Sequence, residues 1–361
     1  MTIFQSIIFR YMIFIFPISF LLSGCNVFKP VNSQKSFIDT KDEFIKIMFY
    51  NVENLFDTIN NPATNDEDFL PEGNYRWNSF RYYDKLQKIS KVIIAVGEWN
   101  APALAGLCEI ENREVMEDLI YKTPLKTFKY DIIHKESPDY RGIDVALLYR
   151  KNYFKPIYYN FFSVSKESDT NFRTRDILYA KGVIKTNDTL HIFVNHWPSR
   201  RGGSSQSEIN RMLVANLLKQ KIDSVIKTNP LAYIVIMGDF NDEPSDKSIS
   251  EILRANGDSL KINEFLLYNL FHYSEKSGSG TYKYQHEWNQ IDQIIVSNSF
   301  FKQNCKLCLN YNSGKIFKED WLLIDDDKYP DKKPWRAYNG PAYNGGFSDH
   351  LPVYMEIIIK K

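Results

Sequence analysis

The sequence predicts one large α/β domain, and three observations carry the prediction. From Phe44 onward, short apolar runs of strand length alternate with longer stretches of helical period. No internal repeat and no second linker interrupts that alternation. Composition is that of an ordinary folded chain, with 43% hydrophobic, 25% charged and 15% aromatic residues in 361. Such a composition excludes a collagenous, disordered or disulfide-framework protein. A multi-span membrane protein is excluded too, because one apolar stretch alone approaches membrane length. The 45 Lys and Arg against 44 Asp and Glu neither advertise nor exclude a nucleic-acid partner.

The chain opens with a short segment carrying Arg10, followed by the apolar run Tyr11 to Leu22, which ends in Leu22-Ser23-Gly24-Cys25. That run is short for a membrane span and suits a signal-peptide core. With small residues before the cysteine, it resembles a bacterial lipoprotein box, in which Cys25 is acylated and becomes the new N-terminus. The expected organisation is a signal peptide over 1–24, a polar tether over 25–43 and one domain over 44–361. The implied location is the bacterial cell envelope, at the periplasmic face or cell surface, with a lipid anchor holding the protein to the membrane.

Within the domain, Phe44 to Tyr50 reads as a strand. Leu86, Ile89, Val92, Ile93 and Val96 fall at helical spacing. Ala103 to Cys108 reads as a buried strand and Glu114 to Tyr121 as a short helix. Val145 to Tyr149 and Leu190 to Val194 are strands. Ser205 to Ile226 is a long helix, followed by strands at Tyr233 to Met237, Gln293 to Val296 and Leu351 to Ile359. Cys305 and Cys308 form a lone CxxC with no second pair and no nearby His, so a zinc site is not expected. Residues three apart on one strand point to opposite faces, so two buried thiols are expected rather than a bridge. Cys108 falls in an apolar strand.

Polar clusters sit where the strands end or begin. They are Asn51-Val52-Glu53-Asn54, Glu109-Ile110-Glu111-Asn112, Asn195-His196-Trp197, Gly238-Asp239-Phe240-Asn241-Asp242 and Phe347-Ser348-Asp349-His350, with Asp292 opening another strand. Together these would line one rim of a sheet sandwich. A rim rich in oxygen ligands suits a hard divalent cation.

In this order and at these separations, the clusters resemble those of the endonuclease/exonuclease/phosphatase superfamily, over nearly the whole domain. The resemblance implies a deoxyribonuclease I-like, four-layered sandwich of two packed mixed β-sheets flanked by helices. It also implies a metal-dependent phosphoester hydrolase. Glu109 would bind the catalytic Mg²⁺ (or Mn²⁺ or Ca²⁺), with Asn51 and Asp349 in the same shell and Glu53 able to widen it. Asp239 would activate the attacking water, and Asn241 would donate to charge growing on the phosphoryl oxygens. His350 and Asp292 would form a His–Asp pair. His196, protonated, would assist the leaving oxygen, with Asp144 as its orienting partner. His134, His191, His272 and His286 are left as structural or surface residues.

Arg200 and Arg201, on the Gly-rich turn after His196, and Arg175 are candidates for substrate phosphate binding, with Arg173 beside them. The aromatic-rich stretch Trp321 to Phe347 ends at Ser348-Asp349-His350, so it would either stack on substrate or be a loop pinned by its own rings. The expected activity is a phosphodiesterase or nuclease acting by in-line water attack, with nucleic acid as a plausible substrate. The alternatives are a phosphomonoesterase, a phospholipid or sphingomyelin phosphodiesterase, or a non-catalytic envelope lipoprotein that binds a polymer. No protein partner is implied.

Overall fold

The computed structural model describes residues 43–98, 100–200, 204–262, 264 and 266–360. The expected signal peptide, the expected tether up to residue 42 with Cys25, and Arg201 lie outside them. Among the described residues, no helix is long and apolar enough to cross a membrane. In chain order the main elements are β1 (Glu43–Leu55), α1 (Ser79–Val96), β2 (Leu104–Ile110), α2 (Arg113–Tyr121), β3 (Tyr130–His134) and β4 (Asp144–Arg150). There follow β5 (Phe154–Phe162), β6 (Ile177–Ile184), β7 (Thr189–His196), α3 (Ser204–Thr228), β8 (Tyr233–Asp239), β9 (Asp292–Ser297) and β10 (Val353–Ile359).

Two seven-stranded mixed sheets result. In the first, β10, β1, β2, β4 and β3 lie side by side; β1 and β2 are parallel and the other pairings antiparallel. In the second, β5, β6, β7, β8 and β9 lie side by side, with β7 and β8 parallel. Alternation along the strands decides which face goes where. In β1, Ile45, Ile47 and Phe49 point between the sheets, where they meet Leu178, Ile192, Val235, Met237 and Ile294. Met48, Tyr50 and Val52 point the other way, onto Leu86, Ile89 and Ile93 of α1 and Val115 and Leu119 of α2. On the far side, Val214, Ala215, Leu218 and Ile222 of α3 cover Phe193, Ile234, Ile236 and Ile295. Helix, sheet, sheet and helix make the four layers expected from the sequence.

Of these ten strands, three, β3, β5 and β6, escaped the sequence reading. In β5 the physical reason is plain. It is an edge strand with a bulge beside Pro156, and Ile157, Tyr158 and Tyr159 are exposed, so no inward alternation marks it. The cysteine expectation is corrected as well: Cys305 and Cys308 are disulfide-bonded. They do not share a strand. Cys305 closes a turn, its N–H donating to Lys302 O, and Cys308 lies in the short strand Leu307–Cys308, so the Cα atoms come within 5.4 Å.

Candidate active site

Sheet register gathers the polar strand ends. β8 ends at Asp239, which is paired with His196 of β7 on one side and Asp292 of β9 on the other. Gly238 permits the close approach: a Cβ there would lie 2.5 Å from the Asn195 carbonyl oxygen. From the first sheet, Asn51 reaches across and donates its amide to Asp239 Oδ2 at 3.0 Å and to Glu109 Oε1 at 3.4 Å, and lies 3.5 Å from His350 Nε2. A bulge between Cys108 and Ile110 re-aims Glu109, whose φ is +63°. Asn241 leaves β8 with φ +50°, and its N–H donates to Asp239 Oδ1 at 2.9 Å.

Around this centre, His196 Nε2 lies 3.7 Å from Asp239 Oδ2 and 3.8 Å from Glu109 Oε1. His350 Nε2 lies 3.8 Å from the same Asp239 oxygen, and its Nδ1 is 2.7 Å from Asp292 Oδ2. Thr281 donates its hydroxyl to that Asp292 oxygen at 2.5 Å. Glu109, Asp239, Asn51, Asp292, His196 and His350, drawn from both sheets, thus share one pocket.

Burial governs the charges here. It pushes Asp239 up to about 7; Asp292 adds to that rise, while His350 and the hydrogen bonds from Asn241 and Asn51 oppose it. Burial alone would depress His350, but Asp292, Asp239 and Asp349 outweigh it and hold the imidazolium well above the usual histidine range. Burial, reinforced by Arg175 and Arg141, drives His196 well below that range. The two shifts run in opposite directions, toward a charged His350 and a neutral His196, whereas the sequence resemblance led to the expectation of a protonated His196.

The donor set of the pocket is rich in carboxylate oxygen. Glu109, Asp239, Asp292 and Asp349 crowd one rim, and the buried Asp292 Oδ1 has no hydrogen-bond partner among the described residues. An oxygen-rich, acid-rich set of this kind fits a hard divalent ion. Asp239, Asp292 and His350 offer ligand atoms within 4.8 Å of one another. That trio also forms a chain centred on the imidazolium, whose Nδ1 is occupied by Asp292, so its carboxylates suit an ion better than its ring does.

Several expected roles are corrected by geometry. Asn51 presents its amide N–H groups to the centre, and its Oδ1 accepts from Glu53 N at 3.0 Å, so it stands as a hydrogen-bond donor rather than a metal ligand. Asp144 does not orient His196: it pairs with His134 Nε2 at 3.1 Å and accepts from Ser137 N at 2.7 Å. His196 Nδ1 has no hydrogen-bond partner among the described residues. Arg175 is not free for substrate phosphate. It is buried, donating to the carbonyls of His196 and Trp197 and to Asp139 Oδ2 at 2.9 Å. Arg200 donates to Asn241 O at 2.8 Å and to Asp246 Oδ2 at 2.6 Å, so it braces the loop after Asp239. Asn241 turns its amide to Trp197 O at 3.0 Å.

The Glu53 carboxylate is taken up by protein partners and shares Arg336 with Asp349. It is buried against Arg336 Nε (3.2 Å), Ala337 N (2.7 Å) and Lys85 Nζ (3.7 Å), and thereby ties the aromatic stretch to β1. Asp349 keeps its place on the rim with Oδ2 held by Arg336 Nη2 at 3.1 Å. In the aromatic stretch, Trp321 and Trp335 pack edge-on against Phe347, and Tyr338 packs against Tyr75 and Tyr343, which makes it a pinned loop. Sequence reasoning missed Arg336, Thr281 and Tyr282, whose ring lies 4.9 Å from that of His350. None of them falls in a strand-end cluster. The one signal they carried was Arg336's place in a stretch that ends at Asp349.

The fold resembles solved structures at low identity. The human Nocturnin catalytic domain, solved with a bound sulfate anion, is 15% identical, has a TM-score of 0.52 and matches over 88% of this chain and 98% of its own. A truncated Caenorhabditis elegans TDP2 is 15% identical, with a TM-score of 0.53 and the same coverages. An endonuclease/exonuclease/phosphatase from Bacteroides vulgatus is 16% identical, with a TM-score of 0.52, over 88% of this chain and all of its own. No curated protein matches the sequence. The sequence profile of the Endonuclease/Exonuclease/phosphatase family matches residues 46–360, nearly the whole described chain, and the protein belongs to that family.

Proposed function

We propose that this protein is a divalent-metal-dependent phosphoester hydrolase, most simply a phosphodiesterase acting on nucleic acid by in-line attack of water. The observation that supports this reading best is the surroundings of Asp239 Oδ2, with Asn51 at 3.0 Å, His196 at 3.7 Å and His350 at 3.8 Å. A buried carboxylate poised near neutrality is suited to take a proton from water. Asn51 and the Asn241 backbone N–H hold it in place. The His350 imidazolium, fixed by Asp292, offers a charged donor to a phosphoryl oxygen. His196, neutral, offers a ring N–H to the departing oxygen. Glu109 would hold the metal, with Asp349 on the same rim. The ion would supply Lewis-acid stabilisation of charge developing on the phosphoryl group.

The lipid anchor at Cys25 would place this chemistry at a bacterial envelope. A substrate panel on the soluble domain tests the whole reading: plasmid, oligonucleotides, RNA, sphingomyelin and simple phosphomonoesters, with Mg²⁺, Mn²⁺, Ca²⁺ or EDTA. The expected result is diester hydrolysis that stops on chelation and falls about 10²–10⁴-fold in Asp239→Ala. Turnover of no ester would favour a binding lipoprotein, and equal turnover by parent and variant would remove Asp239 from the mechanism.

A further inference from the structure

Beside the catalytic centre lies a second cavity of about 250 Å³, lined by Arg141, Phe172, Arg173, Thr174, Arg175, Pro198 and Ser199. It is smaller than the roughly 300–1,000 Å³ of clefts that hold drug-sized ligands. Its wall is the chain just past His196, because Arg175 donates to the His196 and Trp197 carbonyls and Pro198 and Ser199 come next.

The charges around it do not cancel. Arg175 is consumed by Asp139 and the two carbonyls. Among the described residues, the Arg141 guanidinium makes one loose contact, its Nε 3.5 Å from Asp139 Oδ1. Arg173 spends a single nitrogen, Nη1, on the Thr170 and Phe172 carbonyls, and is otherwise exposed. Asp139 is thus the acid shared by Arg175 and Arg141. The nearby buried Asp176 is faced by Lys135 at 3.5 Å. Thr174 is buried on the same wall, and its hydroxyl has no hydrogen-bond partner among the described residues. Two guanidinium forks with free donors and an orphaned hydroxyl are the groups that bind a phosphoryl group. Phe172 adds a ring face for the sugar or base attached to it.

We propose that this cavity is a subsite for a second phosphate of the substrate, on the His196 side of the ester that is cut. Preferred substrates then carry two phosphates, of which Arg141, Arg173 and Thr174 grip the one that is not hydrolysed. The inference rests on the phosphoesterase reading for its meaning, though not for its binding test. The second phosphate is either the neighbouring phosphate of a nucleic-acid strand or the pendant phosphate of a small bisphosphorylated molecule.

The test compares parent and R141Q/R173Q in two arms, a dinucleotide with and without a terminal phosphate and a nucleoside bisphosphate against the monophosphate. In the parent, the added phosphate should raise kcat/KM about 10-fold or more in at least one arm, mostly through KM, and that arm identifies the source. In the variant the advantage should shrink to about twofold or less. Arg173 is exposed, so R173Q alone serves if the double variant does not fold, with a partial loss expected. No advantage in either arm of the parent, or an advantage kept in the variant, overturns the subsite. Calorimetric titration of the metal-free protein with inorganic phosphate separates the two claims. Binding weakened in R141Q/R173Q without hydrolysis of any ester would keep the subsite and remove the phosphoesterase. Hydrolysis with identical phosphate binding in parent and variant would do the reverse.

Discussion

Asn51 and Asp239, 188 residues apart in sequence and on different sheets, meet side chain to side chain at 3.0 Å in a buried pocket. That hydrogen bond is the seam through which the two halves of the sandwich act as one site. Asn51→Ala should leave the buried Asp239 carboxylate short of a donor, raising its proton affinity further. The expected outcome is a loss of about 10²-fold or more in kcat with little change in KM, read from steady-state kinetics on a diester. Asn51→Asp, which adds like charge beside Asp239 and Glu109, should be at least as damaging.

Lys85 and Glu53 form a buried pair that anchors the aromatic loop. Lys85 donates to Phe347 O at 2.7 Å while facing Glu53 Oε2 at 3.7 Å. Burial lowers the lysine and raises the glutamate to about 7. Lys85→Met should cost about 1–3 kcal/mol, because it leaves Phe347 O without its donor and leaves the buried Glu53 carboxylate to Arg336 and Ala337 N. Adding Glu53→Gln should recover part of that loss. Urea unfolding of the two single variants and the double variant measures the coupling.

Asp144 belongs to the fold and not to the His196 relay. Asp144→Asn should lower stability by about 1–3 kcal/mol, since His134 and Ser137 lose a charged acceptor in a buried setting. Its effect on kcat should be far smaller than that of Asn51→Ala. Parallel thermal melts and kinetics of the two variants check the ranking.

His191 gives the protein an acid sensitivity remote from the site. It is buried, its Nδ1 shares a hydrogen bond with the Tyr179 hydroxyl at 2.8 Å, and burial with the Lys181 charge lowers it to about 4. Between the unfolded value near 6.5 and the folded value near 4, the unfolded chain binds more protons. Stability from this group is thus full above pH 6.5 and is lost as pH falls toward 4. His191→Gln should flatten that fall by about 1–3 kcal/mol in urea titrations at pH 7 and pH 4.

What the sequence made legible followed from local pattern. Apolar runs that end or begin at Asn, Asp, Glu or His marked β1, β2, β7, β8 and β9 and the rim they share. What it hid depended on direction and distance. Asp144 and His134 pair within one hairpin, a detail of side-chain aim that no motif encodes. Arg336 reaches Glu53 across 283 residues. Cys305 and Cys308 join because a turn intervenes where strand alternation was assumed. Arg175 carried the right charge for a phosphate, yet its neighbours claim every donor the structure assigns to it.

Glu53, Asn54, Glu109 and Asn241 all hold left-handed backbone at the rim, with φ between +50° and +63°. Each such non-glycine residue costs of order 1–3 kcal/mol. A sequence optimised for durability alone would favour glycine at those points. Glu109→Gly should therefore relax the bulge while abolishing activity, leaving a sturdier and inert protein.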